Sequence, residues 1–148
     1  MANIRITSKW VNADPVELSQ EEKDILISQD FTSAKNSKLN QIDEKTNEVI
    51  NDGFEFDGET FSLSLAAQQN WTGLQVAVSQ GYLPEQAFPF EISTKEGDKY
   101  LLSWSNSTLF FQKVLMTVST QLYQGRSLKK LVNDSTNFDE LNDINDNR

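Results

Sequence analysis

The sequence predicts an α+β fold: two β-hairpins packed against three main helices, preceded by a short N-terminal strand and helix arm. Three observations carry this. Residues 39–78 pass from an amphipathic helical stretch through Asp52-Gly53-Phe54-Glu55-Phe56-Asp57-Gly58-Glu59-Thr60-Phe61-Ser62-Leu63-Ser64 into a second helical stretch with Gln68-Gln69-Asn70-Trp71. Residues 88–104 alternate like strands on either side of Lys95-Glu96-Gly97-Asp98. From Ser105 or Ser107 onward, apolar residues recur at helical spacing around most of the helix girth.

Taken in order, Ile4 and Ile6 alternate with Arg5 and Thr7, the pattern of a short strand, and Trp10, Val11 and Pro15 follow in an irregular piece. Ser19-Gln20-Glu21-Glu22 has the form of a capping box and opens a short helix to about Ser28. Residues 1–34 therefore read as an arm, joined through a linker near 32–37 to a compact unit over 35–144, with an acidic tail at 145–148. Leu39, Ile42, Val49 and Ile50, with Thr46 between them, keep helical spacing, and Lys38, Asn40, Glu44, Lys45 and Glu48 face away.

Gly53 and Gly58 supply the backbone angles of a helix stop and a tight turn. Phe54 and Phe56 on one strand and Phe61 and Leu63 on the other share one face of the hairpin. Ser64 caps the next helix, Ala67, Trp71, Leu74 and Val78 line it, and Gly81 closes it. Phe88, Phe90 and Ile92 form an edge strand beside Pro89, and Tyr100, Leu102 and Trp104 the returning strand.

The longest helix has Phe111, Leu115, Val118 and Leu122 as its main stripe, widened by Leu109, Phe110, Val114, Met116 and Tyr123. Gly125 is read as an interruption, with Leu128, Leu131 and Val132 in a short helix beyond it and Phe138, Leu141 and Ile144 in a last turn. The expected core is Phe54, Phe56, Phe61, Trp71, Leu74, Phe90, Leu102, Trp104, Phe111 and Leu115. The polar, acidic end is expected to fray unless a partner holds it.

Composition narrows the function. Acidic residues outnumber basic ones by 22 to 13, a net charge of −9, which disfavours binding to phosphates or anionic lipid. The chain has neither Cys nor His, so thiolate nucleophiles, imidazole bases, disulfides and ordinary zinc sites are excluded. No apolar run approaches the roughly 20 residues of a membrane helix, and the start lacks a signal-peptide core. No cofactor is expected.

Carboxylates remain. Glu55, Asp57 and Glu59 cluster at the first hairpin, as a glycosidase pair would, but Asp57-Gly58 is also what a turn demands. Asp143, Asn145 and Asn147 imitate the opening of a calcium loop without its glycine or distal glutamate. Asn70-Trp71-Thr72 and Asn106-Ser107-Thr108 match the glycosylation triplet but fall at or in helices. Trp71 with its neighbouring amides could stack on a sugar, though filling the core is the simpler role. Tyr123, Arg126, Lys129 and Lys130 form a basic patch, too small for nucleic acid.

The order helix, Gly-Phe-Glu-Phe-Asp-Gly-x-x-Phe, Ser-Leu-Ser, helix with Ala-Gln-x-Asn-Trp resembles the uncharacterised domain at the C-terminal end of many bacteriophage tail-fibre and tail-fibre-assembly-like proteins. In that family a helix of the form Ile-Asp-x-x-Thr-x-x-x-Ile leads into the hairpin; here it stands as Ile42-Asp43-Glu44-Lys45-Thr46-Asn47-Glu48-Val49-Ile50. The resemblance spans 38–141 and is strongest over 42–71. It implies a phage or prophage origin, a place in the virion or its assembly, and no catalytic residues. Family members often carry a long fibre or chaperone segment ahead of this domain, whereas 34 residues precede it here. A small accessory subunit of tail, fibre, neck or head is therefore expected, made in the bacterial cytoplasm and located in the virion.

Its partners would be other virion proteins and copies of itself, not nucleic acid or membrane, with a host glycan as the lesser alternative. A fibre-assembly chaperone is the competing role. The expected interface lies on the longest helix, at Leu109, Met116 and Tyr123, which fall seven apart outside the main stripe, and at Arg126, Lys129 and Lys130. The protein is expected to act by contact and to catalyse nothing.

Overall fold

The computed structural model describes residues 8–11 and 14–148, with side chains from residue 17 onward. The fold is α+β, as the sequence predicts. Strand β1 (Ser8–Val11) pairs antiparallel with β2 (Asp14–Glu17). These residues form a third small hairpin where irregular chain is expected; a two-stranded ribbon leaves one side of each strand unpaired, so it tolerates Pro15. The strand expected at Ile4 and Ile6 lies outside the described residues.

Helix α1 (Gln20–Asp52) begins with the capping box: the Glu22 N–H donates to Ser19 Oγ at 3.2 Å and the Ser19 N–H to Glu22 Oε2 at 3.0 Å. It does not stop near Ser28, and residues 32–37 are helical rather than a linker. No glycine or proline interrupts the sequence from Gln20 to Asp52, and Phe31, Ala34 and Leu39 pack beside buried Ile42. Gly53 ends the helix at φ 91°, where a Cβ would stand 2.1 Å from the Phe61 carbonyl oxygen. Lys95 ties this corner together: its Nζ donates to the Asp52 carbonyl at 2.9 Å and its N–H to the Thr60 carbonyl at 2.8 Å.

Strands β3 (Phe54–Phe56) and β4 (Glu59–Phe61) pair with Phe54 opposite Phe61. Positive φ at Asp57 (53°) and Gly58 (80°) gives the twist that a two-residue hairpin requires. Phe54, Phe56, Phe61 and Leu63 are all buried, as the alternation predicts. Helix α2 (Leu65–Ser79) is capped by Ser64, which accepts from the Ala67 N–H at 3.2 Å. Strands β5 (Phe90–Ser93) and β6 (Lys99–Leu102) form the other expected hairpin, with Phe90 opposite Leu102.

Helix α3 (Trp104–Asp134) starts earlier and runs further than expected. Ser103, not Ser105 or Ser107, is its cap and accepts from the Asn106 N–H. Gly125 does not interrupt it but lies buried in its middle. A short α4 (Phe138–Asp143) follows, capped by Asn137. α1 and α3 lie antiparallel: Lys35 donates to the Asn133 carbonyl, Lys129 to Asp43, and Thr46 lies beside Gly125.

The interior has two apolar clusters. The larger joins both main hairpins to α2 and the start of α3, around Phe54, Phe61, Trp71, Ile92, Leu102 and Phe110. The smaller joins α1, α3 and α4 around Ile42, Val132 and Leu141. Two residues of the expected core are exposed. Trp104 opens α3 rather than ending a strand and is 38% exposed, its ring edge-on to Phe88. Leu115 is 64% exposed because the inward side of α3 is set by Phe110, with Val114 and Val118. The Phe110 ring meets Phe54, Phe56, Phe61 and Trp71 at centroid distances of 5.1–5.3 Å.

The acidic tail folds back instead of fraying free. Arg148 reaches between the long helices, donating through Nη1 to the Gln121 carbonyl at 2.9 Å and through Nη2 to the Ile42 carbonyl at 3.3 Å. Asp146 accepts from its Nε and Nη2, so the partner that holds the tail is the chain itself.

Candidate functional site

A helix turns about 100° per residue, so positions seven apart fall nearly above one another. The inward side of α3 carries Ser107, Phe110, Gly125 and Val132, all buried. Leu109, Met116 and Tyr123 project on the opposite side and are 58%, 66% and 72% exposed. Along α3 the first acidic residue is Asp134, while Lys113, Arg126, Lys129 and Lys130 are basic. In a chain of net charge −9 this is a neutral-to-basic surface with a central apolar line.

The six residues expected at the interface separate into two groups. Leu109, Met116, Tyr123, Arg126 and Lys130 are all exposed. Lys130 pairs with Asp134 one turn on. Lys129 instead reaches across to α1, its Nζ 2.7 Å from Asp43 Oδ1, and belongs to the α1–α3 packing. The N-terminal end of the line borders a depression of about 430 Å³ shared by Leu109, Lys113 and Asn106 with Glu55 and Asp57 of the first hairpin. Periodicity alone does not bring that hairpin to α3.

The other candidates are accounted for structurally. Asp57 Oδ2 accepts from the Tyr100 hydroxyl at 2.8 Å, and Asp57 occupies the hairpin turn at positive φ. Burial, that hydrogen bond and the negative charges of Asp57 and Glu59 push the Tyr100 phenol up to about 12. Glu55 and Glu59 are exposed. The Trp71 indole is packed against Phe61 and Phe110, its Nε1 donates to the Ser62 carbonyl at 2.9 Å, and it is 9% exposed, so little of its face is left open for a sugar to stack on. Gln68 is turned to the Leu63 carbonyl. Both Asn-x-Thr triplets lie within α2 and α3.

Among the described residues, no group of three or more carboxylates is placed to hold a metal ion, and no helix is long and apolar enough to cross a membrane. A second apolar feature is a cleft of about 120 Å³ between α2 and α3, floored by Trp71, Phe111, Val114 and Val118 and rimmed by Gln75 and Leu115.

Comparison with protein-family models, with curated proteins and with solved structures finds no match to this chain.

Proposed function

We propose that the chain is a structural subunit of a bacteriophage virion, a small accessory part of tail, fibre, neck or head that works through protein–protein contact. The observation that carries the contact reading is the outward face of α3, where three large apolar side chains stand in line on a surface with no acidic residue before Asp134. Scattered single apolar residues need no explanation, but an aligned set on an otherwise solvated helix marks a surface to be covered. The phage setting is supported by the helix, hairpin and helix over 42–71, whose resemblance to tail-fibre-associated domains is carried by residues that form the first hairpin and its flanking helices.

The test is mass spectrometry of purified phage particles and of the lysate they came from. A virion subunit is found in the particles. A chain confined to the lysate would instead be an assembly chaperone, and one found in neither would remove the phage reading.

A further inference from the structure

α1 and α3 meet at a point where each turns a main-chain carbonyl to the same group. The Ile42 and Gln121 carbonyls each stand one turn before a residue that opens the crossing, Thr46 on α1 and Gly125 on α3. A carbonyl oxygen has two lone pairs, so each can accept from outside its helix as well as from the N–H four residues on. Gly125 keeps the approach clear: a Cβ there would stand 3.3 Å from Arg148 Nη1 and 2.6 Å from Thr46 Oγ1. Gln121 adds a side-chain oxygen, Oε1, that is buried with no hydrogen-bond partner among the described residues.

A single guanidinium fills this slot. Arg148 Nη1 donates to the Gln121 carbonyl at 2.9 Å and Nη2 to the Ile42 carbonyl at 3.3 Å. Nε and Nη2 donate to the two Asp146 carboxylate oxygens at 2.8 and 2.6 Å, and the Arg148 side chain is 9% exposed. These four bonds leave from three nitrogens and span two helices and a carboxylate, which suits the rigid fork of a guanidinium. An ammonium presents its donors from one point and cannot reach all of these acceptors.

The group is held as a ligand on a tether. Asn145 and Asn147 are exposed. Among the described residues, every hydrogen bond from residues 145–148 to α1 or α3 leaves the Arg148 guanidinium. Recognition therefore lies in the slot and not in the segment that carries the arginine.

We propose that the α1–α3 crossing is a guanidinium-binding site, filled here by the chain's own Arg148 and able to take an arginine side chain or a free alkylguanidinium once that residue is withdrawn. The site lies on the inward side of α3, which carries Gly125, and it stands or falls apart from the outward line of Leu109, Met116 and Tyr123.

The test uses the full chain with Arg148→Ala, which keeps Asp146, and the probe ethylguanidinium, which supplies the part of the side chain that the substitution removes. The variant is expected to melt below the wild type. Millimolar ethylguanidinium should raise its melting temperature saturably and leave the wild type, whose site is filled, unchanged. The carbonyl carbon shifts of Ile42 and Gln121 should follow the same binding curve, which places the probe in the slot. Ethylammonium, of equal charge, should do neither. A variant as stable as the wild type, or one whose melting temperature and two carbonyl shifts ignore ethylguanidinium, would overturn the site. An equal response to ethylammonium would overturn its selectivity for guanidinium.

Discussion

Gly125 of α3 lies directly against Thr46 of α1: a Cβ on Gly125 would stand 2.6 Å from Thr46 Oγ1. Thr46 is buried and its hydroxyl donates to the Ile42 carbonyl at 2.7 Å, so its β-branched side chain has little room to turn away. Gly125→Ala gains about 1 kcal/mol of helix propensity but overpacks the crossing, which costs about 1–3 kcal/mol. A net loss of about 1 kcal/mol is expected by urea denaturation. In a Thr46→Ala background the same substitution should cost less, because the nearest opposing atom is gone and Arg148 Nη1, 3.3 Å from the added Cβ, is the tightest contact left. Additivity of the two changes would contradict the close approach.

Phe110 and Leu115 decide which side of α3 faces in. Phe110→Ala should cost about 3–5 kcal/mol, since it empties the centre of an aromatic cluster. Leu115→Ala should change stability by no more than about 0.5 kcal/mol. Thermal melts of the two variants check this, and equal losses would restore the phase that hydropathy suggests.

Those residues also show how far the sequence could be read. The first hairpin was legible because Asp57-Gly58 names its turn and the alternation of Phe54, Phe56, Phe61 and Leu63 fixes its face. The phase of α3 was not, because Leu109, Phe110, Phe111, Val114, Leu115 and Met116 allow more than one inward stripe. The structure selects the side that also carries Ser107 and Gly125, small residues that permit close approach and that hydropathy passes over. The continuity of α1 was hidden because residues 32–37 are mostly small and polar. That Leu109, Met116 and Tyr123 share one outward line of α3 was legible from their seven-residue spacing. The turn of Lys129 toward α1 was not legible, because its partner, Asp43, is distant in sequence.

Tyr100 and Asp57 couple the two main hairpins and should give the fold an alkaline dependence. The phenol is raised to about 12, first by burial and then by the Asp57 hydrogen bond and charge. A raised folded value favours the neutral form, so this contribution is complete below the unfolded tyrosine value of about 10 and fades as pH rises toward 12. Asp57→Asn keeps a residue that tolerates positive φ and removes the charge. It should lower the Tyr100 value, read from its ring carbon shift; an unchanged value would show that burial alone sets it.

Asp146 provides the acid counterpart. Hydrogen bonds from the Arg148 guanidinium, opposed in part by burial, hold its carboxyl below the ordinary aspartate range, and the Arg148 backbone N–H and charge add to this. A depressed folded value means stability that is present above the unfolded value of about 3.9 and is lost as pH falls through the folded one. Asp146→Asn should lower stability near neutrality and flatten its dependence on pH in that acid range, the two proteins converging below the folded value. An identical acid limb in the variant would place the tail contact outside the folding equilibrium.

The central claim is that the exposed line on α3 is where the protein meets its partners. It is tested most directly by counting copies of the chain per purified phage particle, using quantitative mass spectrometry, for wild type and for a Met116→Glu, Tyr123→Glu double variant of unchanged thermal stability. The wild-type chain should be present in several copies and the folded variant nearly absent. Equal incorporation of the two would contradict the claim.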